Sequence, residues 1–439
     1  MKILNPRQFA AWVLMLAGVG FFTSTIAAPV TGTEASASLS LSNFIKTSLA
    51  DNPEFLALKA DLQSAKATLR AADQAVYNPE LELDYENIDE INSTIQTVGI
   101  SQTIDWGDLQ GSRTAIGRMG LQKATASYKL ASQSFLSDLL MRQADHQTQI
   151  ALQKLSNESL ALMASFKTIA ESRYRAGDLS QVELNLALLA YHQALMEQAN
   201  VQSDASEARE KLRVLLGYSA GDFVGDSFKK IPGLPEQLPT PKIKGDLDSF
   251  LQTLPLVKVQ LADLQLSRNQ VELKKSERAW NPTIGVRAGK EDDDSLIGFN
   301  LSIPLNVRNN FSAEVDAAQQ ESIATEQRAH IAFRDARARI IVATERYRSL
   351  LTAWNNWRKY GRSSVDQQLS LIKKLWQSGD ISASDYLLQL KQALETRATG
   401  LKLRNQLWQV AFEWMSLTDR LDDGLNLQIE LTGKNYYEY

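Results

Sequence analysis

The chain has 439 residues, 44% of them hydrophobic and 22% charged, with 47 bases against 51 acids and no cysteine. That composition excludes a disulfide framework, a thiolate metal site and a cysteine-borne lipid, and the negative balance argues against a nucleic-acid partner. Glycine (22) and proline (11) are sparse and leave long stretches rich in Ala, Leu, Gln, Glu, Lys and Arg, which favour long helices.

In chain order, residues 1–27 read as a secretory signal peptide. Lys2 and Arg7 form a positive start, and Phe9 to Phe22 is apolar but too short to span a bilayer. Small residues follow, and cleavage is expected after Ala27. Loss of Lys2 and Arg7 leaves 45 bases against 51 acids. No later segment holds eighteen consecutive apolar residues, so membrane entry is expected only as a β-barrel.

The mature chain is written twice. Pro53 begins a stretch that runs to Tyr77-Asn78-Pro79, and Pro255 begins one that runs to Trp280-Asn281-Pro282. Gly177-Asp178-Leu179-Ser180 is repeated as Gly379-Asp380-Ile381-Ser382. Each half opens on a predicted helix, Pro53–Val76 or Pro255–Ala279, with proline in its first turn and Asn-Pro as its stop. Two strands with period-2 alternation follow, at about 81–104 and about 283–305. Leu81, Leu83 and Tyr85 alternate with Glu82, Asp84 and Glu86, and Ile297, Phe299, Leu301 and Ile303 with Gly298, Asn300 and Ser302. One face is apolar and one polar, as for a strand between lipid and a watery lumen.

A very long helical run comes next in each half, Asp108 to Tyr174 and Asn310 to Trp376, each about 100 Å at 1.5 Å per residue. The Gly-Asp-x-Ser segments break these runs: glycine ends the first helix and Ser180 or Ser382 caps the next, Gln181–Leu216 or Ala383–Leu417. The organisation is thus a first repeat over 28–216 (helical hairpin about 108–216) and an irregular connector over 217–246. A second repeat covers 247–418 (hairpin about 310–417), and a tail over 419–439 is expected to be loose or to pack outside the helices.

Four strands cannot close a barrel, whereas three chains supply twelve. A homotrimer therefore follows from the rule that no strand edge may face lipid. Helices of this length must project beyond the membrane, and twelve in a ring make a tunnel coaxial with the barrel. The fold expected is mainly α with a membrane β-barrel, made of two tandem helix–β-hairpin–long helical hairpin repeats.

The duplicated Asn-Pro motifs, Gly99-Ile100-Ser101-Gln102, the run from Gly298 to Leu305 and the paired Gly-Asp-x-Ser segments together resemble the TolC-like outer-membrane efflux family. Asn78-Pro79-Glu80-Leu81 and Arg308-Asn309-Asn310 are most similar to its heavy-metal-resistance (CzcC-type) branch. Asp105-Trp106-Gly107-Asp108 departs from that branch, as does the lack of a lipid-bearing cysteine. The resemblance implies an outer-membrane duct with a periplasmic extension. It would be trimeric and passive, docked to a periplasmic adaptor and an inner-membrane RND pump, with metal cations, drugs or secreted polypeptides as cargo. It also places Gly177, Asp178, Leu179, Ser180, Gly379, Asp380, Ile381 and Ser382 at adaptor-docking tips. A soluble periplasmic coiled-coil scaffold is the alternative of another class.

Glu82, Asp84, Glu86, Asp89, Glu90, Glu291, Asp292, Asp293 and Asp294, with Arg287, are expected at the channel mouth or lumen, where the acids favour cations. Pro53, Asn78, Pro79, Pro255, Asn281 and Pro282 are expected to be structural. His146, His192 and His330 lie far apart, so no metal site is expected. Gly217-Tyr218-Ser219-Ala220-Gly221 fits G-x-S-x-G but lacks the strand that a nucleophile elbow needs. No cofactor fingerprint or catalytic arrangement is visible. Trp354, Trp357 and Tyr360 are expected to share one packed helix face.

Overall fold

The computed structural model describes residues 41–46, 52–88, 93–216, 231–243 and 245–425. The signal peptide, Asp89, Glu90, the Gly217–Gly221 motif and the tail beyond 425 lie outside the described residues.

Helix α1, Pro53–Ala72, starts where proline sits in its first turn and the Asn52 side chain accepts from the amides of Glu54 and Phe55. It ends before the expected Val76. The Ala72 carbonyl accepts from Thr114 Oγ1 and the Asp73 carbonyl from Gln110 Nε2, so a neighbouring helix satisfies the groups that a further turn would have used. Strands β1 (Glu80–Ile88) and β2 (Ser93–Thr103) follow.

Next come α2 (Leu109–Ala176) and α3 (Gln181–Leu215). Helix α2 is unbroken over 68 residues, about 100 Å. The second repeat opens with a short α4 (Leu247–Thr253) and then α5 (Pro255–Ser276), which stops three residues short of Ala279. Strands β3 (Thr283–Glu291) and β4 (Asp294–Ser302) complete a sheet of order β1-β2-β3-β4, antiparallel throughout. Its central seam, β2 on β3, joins the two repeats, and β1 and β4 are left as edges.

The second long run differs from the single helix expected. It is α6 (Ser312–Asn356), a π-helical turn (Trp357–Gly361) and α7 (Arg362–Ser378). The indole of Trp357 lies so close against Gly361 and Gly400 that a Cβ on either would fall within 2.5 Å of it. A π turn admits one extra residue per turn, and here that lets the indole press flat on two residues without side chains. The three aromatics consequently splay apart. Trp354 packs on the central core, Trp357 lies on the glycines, and Tyr360 is 59% exposed. Helix α8 (Ala383–Leu417) returns antiparallel to α6 and α7.

The helices form a row in which α3 touches α2, α2 touches α8, and α8 touches α6 and α7. Two apolar cores hold the row together. The central one gathers Leu136, Leu140, Tyr347, Phe412 and Trp414. The connector is strapped over it: Gln143 donates to the Pro232 carbonyl, Trp408 Nε1 to Pro235 and Tyr347 Oη to Pro239. Helix α9, Leu421–Leu425, inserts Leu421 and Leu425 into the same core. The start of the tail is thus buried, because two leucines spaced one helical turn apart had an apolar face to fill. The second core lies near the hairpin ends and contains Phe166, Trp376 and Tyr386.

Candidate functional site

Cross-strand register sorts the sheet into two faces. On one, direct partners form the rows Leu81–Ile100–Val286–Phe299 and Leu83–Val98–Ala288–Ile297. The large residues of this face are exposed, Phe299 by 84% and Ile297 by 79%. A water-exposed sheet face this apolar is the mark of a surface that meets another apolar phase or partner. Tyr85 stands toward one end of the band, and Trp106 and Trp280, both exposed, stand at the other. Such flanking aromatics suit two membrane–water boundaries.

The opposite face is polar. Its rows are Glu82–Gly99–Arg287–Gly298 and Asp84–Thr97–Gly289–Leu296, with Glu86, Glu291 and Asp294 toward the far end. Ser101 Oγ donates to Glu82 Oε1 at 2.8 Å and Thr97 Oγ1 to Asp84 Oδ2 at 3.2 Å, so hydroxyls of β2 orient the two carboxylates. Among the described residues Arg287 is the one base on this face, and it lies along the glycines beside it; a Cβ at Gly298 would come 2.9 Å from its Nε. Asp292 is exposed and also has a structural task. It adopts a left-handed backbone (φ 54°) in the β3–β4 turn, and its Oδ1 accepts from the Thr94 amide at 2.8 Å. Asp293 is exposed in the same turn.

The Gly-Asp-x-Ser segments occupy the far ends of the hairpins. Gly177 and Gly379 cap α2 and α7 with φ of 85° and 86°, a left-handed conformation that glycine adopts without strain. Ser180 closes a capping box with Glu183, and Ser382 accepts from the Asp385 amide. Asp178 and Asp380 are exposed, whereas Leu179 and Ile381 tuck against the second core. One contact that local sequence does not announce ties the two ends together. Arg173 Nη2 donates to the Trp376 carbonyl at 2.9 Å, and its guanidinium lies 4.5 Å from the Trp376 ring centroid. Trp376 in turn stacks on Tyr386, with centroids 5.1 Å apart.

The Asn-Pro motifs differ in use. Asn281 Oδ1 accepts from the amides of Trp106 (3.0 Å) and Gly107 (3.2 Å), and Pro282 is buried. Asn78 and Pro79 are exposed. Among the described residues, no three His, Asp or Glu side chains come together to hold a metal ion. His146 is buried, and its pKa is lowered chiefly by burial and then by Arg209, against an opposing effect of Asp145.

Residues 44–218 match the family model described as outer membrane efflux protein. The nickel and cobalt resistance protein CnrC of Cupriavidus metallidurans is 23% identical over 317 residues, covering 69% of this chain and 73% of CnrC. Among solved structures, CusC aligns with a TM-score of 0.70 at 15% identity, covering 86% of this chain and 92% of CusC. The CmeC outer membrane channel of Campylobacter jejuni aligns with a TM-score of 0.72 at 13% identity, covering 91% of this chain and 90% of CmeC. The chain has the fold of these channel proteins.

Proposed function

We propose that three copies of this chain form the outer-membrane duct of a tripartite efflux system, and that the duct carries divalent metal cations from the periplasm to the exterior. The chain is a channel component and not an enzyme. One observation carries this reading: a four-stranded sheet with an exposed apolar face and an acid-rich polar face, mounted on helical hairpins about 100 Å long. Such a sheet is stable in a bilayer only when its two edges are paired, and three copies close a twelve-stranded ring.

The helices support the same assembly. Helix α3 lies on the flank of the row and exposes Val182, Leu189 and Met196 at seven-residue spacing, the pattern of a helix seam awaiting a neighbour. The similarity to CnrC and the acids of the polar face favour metal cations over other cargo.

Growth of a deletion strain tests the cargo. Hypersensitivity to nickel, cobalt, zinc or copper salts, with unchanged tolerance of dyes and detergents, is the expected result. Hypersensitivity to dyes and detergents alone makes the chain a drug-efflux duct.

The exposed hairpin ends are the docking surface for a periplasmic adaptor in this reading, since they carry polar, solvent-facing groups on a rigid frame. Leucine at Gly177 and Gly379 must take a left-handed backbone, at a cost of about 1–2 kcal/mol each, and adds bulk to open surface. Export is expected to fall sharply while the folded protein still reaches the membrane. Undiminished export by the folded double variant would exclude these ends as the docking surface.

A further inference from the structure

The seam between the repeats contains a polar clamp whose counterpart in the first repeat is empty within one copy. At the central seam, Ser101 pairs with Gly285, the Ile104 amide donates to the Pro282 carbonyl, and the amides of Trp106 and Gly107 donate to Asn281 Oδ1. Internal duplication supplies the equivalents. Asn281 follows Asn78 by 203 positions, so β3 corresponds to β1. Ser302, Leu305 and Asn306 follow Ser101, Ile104 and Asp105 by 201 positions, so β4 corresponds to β2. Hairpin registers agree with both offsets: Glu82 pairs with Gly99, and Gly285 with Asn300.

Applied to the free edges, the same seam needs a second chain. Asn78 is exposed and its side chain has no hydrogen-bond partner among the described residues, while Pro79 is bare where Pro282 is buried. Leu305 and Val307, which correspond to Ile104 and Trp106, are 66% and 84% exposed.

We propose that β4 of one copy pairs with β1 of the next in the register of the internal seam, Ser302 opposite Glu82 and Leu301 opposite Leu83, and that Asn78 clamps the amides of Val307 and Arg308 of that neighbouring copy. The proposal rests on the trimeric reading above and specifies its contacts.

Barrel geometry supports this register independently. From Glu82, direct partners lead through Gly99 and Arg287 to Gly298. In the proposed register, Gly298 then faces Glu86 of the next copy. The path therefore climbs by four residues per copy, and three copies give a shear equal to the number of strands. That equality corresponds to a strand tilt of about 36°, within the range of about 35–45° found in membrane barrels. It also places Asp84 beside Asn300 of the neighbour, so the polar lining is continuous across the copies.

Because the chain has no cysteine, paired cysteines report the register without background. Two adjacent pairs are needed, since hydrogen-bonded and non-hydrogen-bonded positions differ in Cα separation and one suits a disulfide better. Full-length protein in native membranes carries Glu82→Cys with Ser302→Cys, or Leu83→Cys with Leu301→Cys. Oxidation is expected to convert the monomer band on a denaturing gel to cross-linked dimer and trimer in at least one pair. Glu82→Cys with Asn300→Cys, two residues out of register, is expected to stay uncross-linked. Cross-linking by that pair in place of the others overturns the register and leaves the trimer standing. Absence of any cross-link from a protein that sediments as a monomer overturns the trimer and the register together. Asn78→Ala is expected to lower by several degrees the temperature at which trimers dissociate on a native gel; an unchanged temperature overturns the clamp.

Discussion

Replacing Trp376 with alanine is expected to destabilise the protein by about 3–5 kcal/mol, the range for truncating a large aromatic in a packed core, and to loosen both hairpin ends at once. Trp376 is 2% exposed and meets Phe166 edge-on at 5.2 Å and Tyr386 face-on at 5.1 Å. Arg173 reaches it from the other repeat, donating to its carbonyl and covering its ring. Truncation removes the ring that receives Arg173 and leaves a void between α2, α7 and α8. Hydrogen exchange is the measurement. Amides near Gly177 and Gly379 should both lose protection in Trp376→Ala, while those around Tyr347 and Trp414, in the separate central core, keep theirs. Loss of protection at Gly379 alone would show that the two ends are independent.

The second large effect concerns charge. Changing Glu82, Glu86 and Glu291 to Gln and Asp294 to Asn removes four acids per copy from the polar face, and twelve from the proposed trimer. Potentials of a few kT in such a lined passage enrich cations by about tenfold. The cation-to-anion permeability ratio from single-channel reversal potentials is expected to fall by about that factor in 0.1 M salt, where the screening length is about 10 Å. The difference should shrink toward nothing at 1 M, where it is about 3 Å. Arg287→Gln should move the ratio the other way, because it removes the one base from the same face. An unchanged reversal potential in the acid variant would show that the polar face does not select by charge.

Local patterns made much of this architecture legible in the sequence. Alternation at Leu81, Leu83 and Tyr85 locates a strand because side-chain direction in a strand depends only on position. Gly177 with Ser180, and Gly379 with Ser382, mark hairpin ends because a left-handed stop followed by a cap is a short-range device.

Features decided by distant residues were hidden. Helix α1 ends at Ala72 because Thr114 and Gln110 take its last carbonyls. Arg173 and Trp376 are 203 positions apart, and nothing near either one announces the other. The spacing of Trp354, Trp357 and Tyr360 suggests one helical face, but a π turn separates them, and Trp357 packs against Gly400 in another helix. Of the polar face, the identity of the acids was readable. The buttressing by Thr97 and Ser101 was not, and neither was the bond from the Thr94 amide to Asp292, because both require the strand register.

The π turn also makes the two hairpins of one copy unequal as mechanical parts. Helix α2 is a continuous rod, so a force applied at Gly177 is carried along its whole length to its root beside the sheet. The counterpart rod is interrupted by the π turn at Trp357–Gly361, 18 residues from Gly379, or about 27 Å at 1.5 Å per residue. Near-identical turn sequences thus cap an unbroken α-helix in one repeat and a π-interrupted one in the other.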